Sequence, residues 1–255
     1  MTFDNLSMAR AALMAIILLS PIASYADEVE EFPEFDDAEF ADDDFADDEA
    51  LEFDELSVWD PLEPVNRGIF WFNDKAYRYM IKPVARGFRV VPRPIRKSGA
   101  NFFSNLLTPV YVVNSLLQLK IKTAGIELAR FGINTTIGIV GLFDPADKHF
   151  NLKKHPEDLG QTLGTYGIGH GLYIVIPILG SSSARDGIGM FGDAAVDPIF
   201  RIFNNQDALA AKVFDNINYL SFDNDAYESL TDDSIDPYAA IRDAYLQSRK
   251  KSVAE

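Results

Sequence analysis

LLTPVYVVNSLLQL, residues 106–119, and FGINTTIGIVGLF, residues 131–143, pose the question on which the fold depends. As a helix the longer stretch reaches about 21 Å, short of the ~30 Å hydrocarbon core of a bilayer. Both carry amide or hydroxyl side chains in the middle: Asn114 in the first, and Asn134, Thr135 and Thr136 in the second. A lipid-exposed span tolerates such groups only at a cost. The two stretches therefore read as buried core helices or as helices lying in one leaflet. They do not read as spans.

The surrounding sequence supports a mainly helical body. IKTAGIELARF (121–131) has the spacing of a helix leading into the second stretch. Upstream, between Asn66 and Lys97, basic residues recur at steps of three and four: Lys75, Arg78, Lys82, Arg86, Arg89, Arg93 and Arg96. That spacing lines one side of a helix, and Pro83, Pro92 and Pro94 divide it into two or three linked pieces. The stripe is either a solvated helix face or a surface for lipid phosphates. Helical patterns cover 184–203 and 207–219, and Asp236-Pro237 caps a last helix ending at Arg249, Lys250 and Lys251. No convincing run of alternating strands is found.

The charge is divided unevenly. The chain of 255 residues carries a formal charge of −16, yet Asp27 to Glu55 holds 17 acidic residues and no basic one. From Leu56 onward 22 basic residues meet 21 acidic ones. Residues 1–26 read as a signal peptide: Leu13–Leu19 is too short to span, and Ser24-Tyr25-Ala26 offers a small-residue cleavage site. A start at Met8 would give a better charged leader than Met1, where Asp4 cancels Arg10. Residues 27–57 then form an acidic tail punctuated by Phe32, Phe35, Phe40, Phe45 and Phe53, too charged to support a core of its own. It reads as a disordered, solvated spacer, with bait for a basic partner or a divalent-cation mop as the sharper alternative. Export makes nucleic acid an improbable partner. The chain contains no cysteine, hence no disulfide and no residue for a bacterial lipid anchor.

Chemistry was sought where glycine, serine and histidine gather, in LGQTLGTYGIGHGLYIVIPILG (159–180). A dinucleotide site needs a strand before its glycines and a helix after them. Here the glycines precede a proline-broken apolar piece, so they read as turn and close-packing residues. His170, Ser181–Ser183 and Asp186 would suit a Ser-His-Asp hydrolase, but no GxSxG elbow surrounds the serines, which more simply cap the next helix. Three histidines and no cysteine leave no metal site or cofactor in view.

Six ordered blocks resemble the MlaA/VacJ family of outer-membrane phospholipid-transport proteins: DPLEPVNRGIFWFN (60–73), NFFSNLLTPVYVVNSLLQ (101–118), RFGINTTIGIVGLFDPA (130–146), GQTLGTYGIGHGLYIVIPILG (160–180), RDGIG (185–189) and DPYAAIRDAY (236–245). The resemblance covers a domain at 58–250. It implies a ring-like helical assembly, with helices embedded in the periplasmic leaflet of the outer membrane around a central amphipathic channel. Phospholipid would pass from the outer leaflet to a soluble periplasmic carrier and on to an inner-membrane ABC transporter, with trimeric porins as neighbours. No enzymatic step and no cofactor belong to the chain on this view. Phe72 and Asn73 would then lie near a gating region, and Asn114, Asn134, Thr135 and Thr136 would face the channel. Asp60, Asn66, Arg67, Gly160, Gly164, Gly167, Arg185 and Asp186 would hold the fold beside it. Family members are lipoproteins, so a chain without cysteine departs from them and would rely on embedded helices and porin contacts. A phospholipase and a porin-associated scaffold that moves no lipid are the alternatives.

Overall fold

The structure, a computed structural model, describes residues 60–222 and 225–255. The expected signal peptide and acidic tail lie outside the described residues. The described chain is mainly helical. Helix α1 (Glu63–Ala76) begins with Pro64 in its first turn and Glu63 at its positive end. It runs into a π-helical turn (Tyr77–Ile81) and then α2 (Lys82–Phe88). The π turn sits immediately before Pro83, which has no N–H to give. Shifting the ladder by one residue, so that Lys82 N donates to Tyr77 O, lets the chain continue where a break at Pro83 was expected.

Helix α3 (Arg93–Leu117) opens on Pro92-Arg93-Pro94 and continues through Pro109. A short loop joins it to α4 (Ile121–Thr136), and the two form a helical hairpin. The apolar stretch at 106–119 is thus only the second half of a longer helix. The stretch at 131–143 is split, with helix up to Thr136 and an exposed loop beyond. No described helix is long and apolar enough to cross a membrane. The short α5 (Pro145–Phe150) is capped by Asp144, and α6 (Leu159–Thr165) by a full capping box between Asp158 and Gln161.

The glycine-rich region contains the one element that strand alternation did not announce. Strands β1 (Tyr173–Ile176) and β2 (Gly180–Ser183) form an antiparallel hairpin, with Tyr173 opposite Ser183 and Ile176 opposite Gly180. Ser183 ends β2 and caps α7 (Ala184–Val196), accepting from Asp186 N. Asp197-Pro198 then breaks the predicted 184–203 helix, leaving α8 (Pro198–Ile202) separate. Helices α9 (Asn205–Leu220), α10 (Ala226–Asp232) and α11 (Pro237–Ala254) follow, the last capped by Asp236 as the sequence predicts.

The apolar interior is divided among small clusters. Tyr77, Ile81 and Ala85 meet Leu220, Tyr173 and Val175 meet Tyr238 and Tyr245, and Phe103 meets Ile199 and Ala208. Between these clusters the buried side chains are polar, among them Asn66, Asn105, Asn114, Glu127, Arg130, Asn134, Arg185 and Arg249. Buried polar groups persist only when hydrogen-bonded, so hydrogen-bond partners fix this interior as much as packing does.

Candidate functional site

Asn66 and Asn73 are seven residues apart, close to two helical turns, and so share one face of α1. That face meets the hairpin. Asn66 Nδ2 donates to Tyr173 O at 3.1 Å and its Oδ1 accepts from Val175 N at 2.9 Å. Asn73 repeats the pattern three residues along: Nδ2 donates to Ile176 O at 3.0 Å and Oδ1 accepts from Ile178 N at 2.6 Å. Two side-chain amides thus stand in for a third strand. Asp60 fastens the start of α1 by accepting from Asn66 and from the Tyr238 hydroxyl, and Arg67 grips Asp236 with both terminal nitrogens. Of the pair expected at a gate, Asn73 is enclosed and holds the hairpin, while Phe72 points out of the fold.

A second polar cage lies where α6, α7 and α11 meet. Arg249 donates to both carboxylate oxygens of Asp158 and of Asp186, at 2.7–3.1 Å. Arg185 and the Tyr245 hydroxyl complete the shell of Asp186. Burial by itself would raise the Asp186 carboxyl, but hydrogen bonds from Arg185 and the charge of Arg249 hold it at about 2. Burial likewise opposes the Arg249 charge, yet Asp158 and Asp186 raise its pKa. Gly160 makes this proximity possible: a Cβ there would stand 2.5 Å from Asp186 Oδ1 and 2.7 Å from Arg249 Nη2. A Cβ on Gly164 would meet Val253 and Arg185, and Gly167 turns the chain at φ +83°.

The residues expected to face a polar pore fall into two groups. Asn114 is 2% exposed, donates to Asp193 Oδ1 at 2.8 Å and accepts from Thr162 Oγ1 at 3.0 Å. Asn134 donates to Asp144 at 2.8 Å and accepts from Ala146 N. Both amides join elements inside the fold, as that of Asn73 joins α1 to the hairpin. Such groups can escape hydrocarbon by turning toward a neighbouring element as well as toward water. Asn134 also lines a small, open polar cleft, and Thr135 accepts at 3.0 Å from Nδ2 of Asn105, another of its walls. Ser104, Asn105, Glu127, Arg130 and Lys154 also wall this cleft, which suits water or headgroup oxygens and not an acyl chain. Thr136 is exposed and returns its hydroxyl to Gly132 O at 2.7 Å.

Most of the basic stripe is neither a solvated face nor a phosphate surface. Arg78 pairs with Asp74 and Asp232, Lys82 with Asp225 and Glu228, and Arg86 with Asp225. Arg89 and Arg96 donate to Ser221 O. The stripe clasps α10 and the link that joins it to α9 through ion pairs and carbonyls.

The hydrolase constellation is not assembled. His170 is exposed in the loop before β1, whereas all three serines are buried in β2. Ser181 bonds the Tyr173 hydroxyl at 2.8 Å, Ser183 caps α7, and Asp186 serves the arginines.

The outside is apolar where the inside is polar. Leu116, Leu117, Leu119, Ile121 and Leu128 are exposed around the turn of the α3–α4 hairpin. The loop after α4 presents Ile137, Ile139, Val140, Leu142 and Phe143, each between 39% and 63% exposed. Ile139 and Val140 hold φ of +53° and +58°, a region β-branched residues rarely occupy. The loop keeps that backbone because Val140 N and Gly141 N donate to Thr135 O and Asn134 O, which close the end of α4. Trp71, Phe72, Tyr79 and Met80 add a third exposed group along α1 and the π turn. Such contiguous apolar surface marks contact with a membrane or another protein.

These features define a mainly helical protein with much apolar surface outside and an interior fixed by polar bonds. Residues 58–252 match the MlaA lipoprotein family, and the chain belongs to it. It is 34% identical over 192 residues to the intermembrane phospholipid transport system lipoprotein MlaA of Shigella flexneri, covering 74% of this chain and 76% of that protein. It is 38% identical over 202 residues, 77% of each chain, to an uncharacterised protein of Rickettsia bellii (strain RML369-C). A structure solved in work on the structural basis for maintenance of bacterial outer membrane lipid asymmetry matches with a TM-score of 0.69 and 34% identity, covering 76% of this chain and 98% of that one.

Sequence reasoning passed over Asp158, Tyr245 and Arg249 as site residues. Their signals were present: Asp158 and Gln161 have capping-box spacing, and Tyr238, Tyr245 and Arg249 fall on one face of α11.

Proposed function

We propose that this chain is the outer-membrane component of an intermembrane phospholipid transport system and helps to maintain outer-membrane lipid asymmetry. It sits in the periplasmic leaflet with its apolar rim in acyl chains and its polar interior holding the helices around a passage. Mislocalised phospholipid enters from the outer leaflet and leaves to a soluble periplasmic carrier, which delivers it to an inner-membrane ABC transporter. Trimeric porins flank it. The observation that carries this function is the exposed hydrocarbon of α3, α4 and the 137–143 loop on elements that cannot span, in a chain of the MlaA lipoprotein family. Phe72 and Thr136, the exposed members of the pore-facing set, are its lipid-contact candidates, with Asn134 lining the polar cleft and Thr135 bonded to its wall. The chain breaks no bond in this scheme, which accords with serine hydroxyls engaged in the hairpin and the α7 cap and distant in role from His170.

Lipid mass spectrometry on protein purified gently from outer membranes tests the proposal. Intact diacyl phospholipid should be bound near stoichiometrically, and incubation with defined phospholipid should produce no lysolipid. Accumulation of lysolipid that stops in His170→Ala would instead make the chain a phospholipase. Absence of any bound lipid would leave a scaffold.

A further inference from the structure

The cleft between α3 and α4 is lined by polar and charged residues alone, in a hairpin that exposes leucine and isoleucine around its turn. Helix α3 contributes Ser104, Asn105 and Thr108, and α4 contributes Glu127 and Arg130, at helical steps of four and three. Lys154 joins them from the loop after α5. The cations of the cleft are largely answered. Arg130 donates to Leu152 O and, at 2.8 Å, to Asp144, and the Lys154 ammonium lies 5.8 Å from the centre of the Tyr111 ring. Two of its acceptors are not. Asn105 is 6% exposed, and its Oδ1 has no hydrogen-bond partner among the described residues although its Nδ2 is held by Thr135. Glu127 is 1% exposed and accepts from His155 N at 2.6 Å. The side-chain nitrogens of His155 and Arg130 stand 3.7 and 3.9 Å from its oxygens, beyond hydrogen-bond reach. Burial pushes the Glu127 carboxyl up, and the bond from His155 offsets this only in part. Buried acceptors short of donors are costly, and a donor that fits removes the cost.

The free space is about 20 Å³, enough for one group the size of a water molecule. A primary ammonium is of that size and brings three donors. A quaternary ammonium is larger and brings none. It is recognised by aromatic faces, and no aromatic residue lines this cleft. We propose that the cleft binds the primary ammonium of an ethanolamine phospholipid headgroup, with Glu127 and Asn105 Oδ1 as its acceptors and Lys154 beside the phosphate. The proposal rests on the transport function above and adds headgroup discrimination to it. Ethanolamine lipid is held in preference to choline lipid, whose methyl groups the cleft does not admit, and to glycerol lipid, which lacks the positive charge.

The test incubates the full chain in maltoside micelles with equal amounts of phosphatidylethanolamine, phosphatidylcholine and phosphatidylglycerol of identical acyl chains, and reads the bound lipid by mass spectrometry. Phosphatidylethanolamine should be enriched about tenfold. Glu127→Gln keeps the shape and the bond from His155, and should abolish the enrichment without reducing total bound lipid. Ser104→Leu fills the cleft and removes no charge; it should do the same, and it decides the matter if the first variant fails to fold. Equal binding of the three lipids by the parent would overturn the proposal and leave transport intact. So would enrichment that survives in Ser104→Leu. If the parent binds no lipid at all, transport falls, and saturation-transfer NMR with glycerophosphoethanolamine and glycerophosphocholine judges the cleft by itself. Selective binding of the first, lost in Ser104→Leu, upholds the ammonium site. Equal binding of both, or of neither with an ordered water only in the cleft, overturns it.

Discussion

Around Arg249 the protein buries charge, and between Ile137 and Phe143 it exposes hydrocarbon, the reverse of what a water-soluble helical domain does in each place. In the first region α6, α7 and α11 approach closely through Gly160, and no large apolar side chain fills the gap. Two carboxylates and two guanidiniums fill it instead, each satisfied by the others. In the second, side chains that would usually be core material stand on a strained turn facing outward. With the domain seated in a leaflet as proposed, the difference follows from the solvent. Against lipid tails, burying a leucine inside the protein gains little, so apolar side chains can face outward, and specificity inside comes from hydrogen bonds and ion pairs. The same contrast explains why the apolar interior is split into small clusters while amides such as Asn66, Asn114 and Asn134 make the long-range ties.

The largest effect is expected where the buried charge loses its partner. Arg249→Met would strip Asp158 of its ion-pair partner and leave Asp186 with Arg185 alone, a loss of about 3–5 kcal/mol. Chemical denaturation in micelles measures it. Arg249→Lys, which keeps the charge but not the double fork, should recover only part. Recovery to parent stability would show that charge alone matters and geometry does not. The cage also sets an acid limit. Asp186 titrates at about 2 in the folded protein and near 3.9 when unfolded, so its contribution is present above about pH 4 and is lost as pH falls through about 2. That loss amounts to about 2 kcal/mol. Its absence from the denaturation series between pH 5 and pH 2 would remove Asp186 from the ion-paired core.

Smaller changes are expected at the α1–hairpin latch, which joins the two kinds of region. Asn66→Ala leaves Val175 N–H and Tyr173 C=O without partners in a buried site and should cost about 1–2 kcal/mol. Asn73→Ala does the same nearer the hairpin turn, where water reaches the freed groups, and should cost less. Amide hydrogen exchange separates the two. Val175 should lose protection in the first variant and Ile178 in the second, with α7 unchanged in both. Exchange rising throughout the hairpin in either variant would mean that the latch acts as one unit.

Much of the helical framework could be read in the sequence because its signals are local. Asp236-Pro237 and Ser183 cap the helices they precede, and Pro92 and Pro94 mark the start of α3. The hairpin could not be read, since Pro177 interrupts its alternation and β2 is Gly-Ser-Ser-Ser, poor in β-formers. Its free edge is satisfied by two amides about a hundred residues earlier. The partners of the asparagines expected to face a channel were not legible for a similar reason. An asparagine amid leucines shows that a polar partner exists, yet Asp193 and Asp144 were visible only once α7 and the α5 cap came alongside. Tyr245 and Arg249 are helix-face residues whose chemistry depends on Asp186, contributed by another helix.

The smallest effect on stability should carry the clearest message about the apolar loop. Ile139 holds φ of +53° in an exposed position, a conformation that costs a β-branched residue about 1–2 kcal/mol and that asparagine tolerates. Ile139→Asn should therefore raise stability in micelles slightly, by up to about 1 kcal/mol. If the loop sits in hydrocarbon, the same substitution should weaken cosedimentation with phospholipid vesicles, because an amide replaces a buried butyl group. A protein evolved for water would have no reason to keep isoleucine there, since asparagine relieves the strain and is better hydrated. Greater stability with weaker vesicle binding would show that the strain persists for the sake of the membrane contact. Greater stability with unchanged binding would take the loop out of the lipid-facing surface and leave the α3–α4 hairpin to carry that contact.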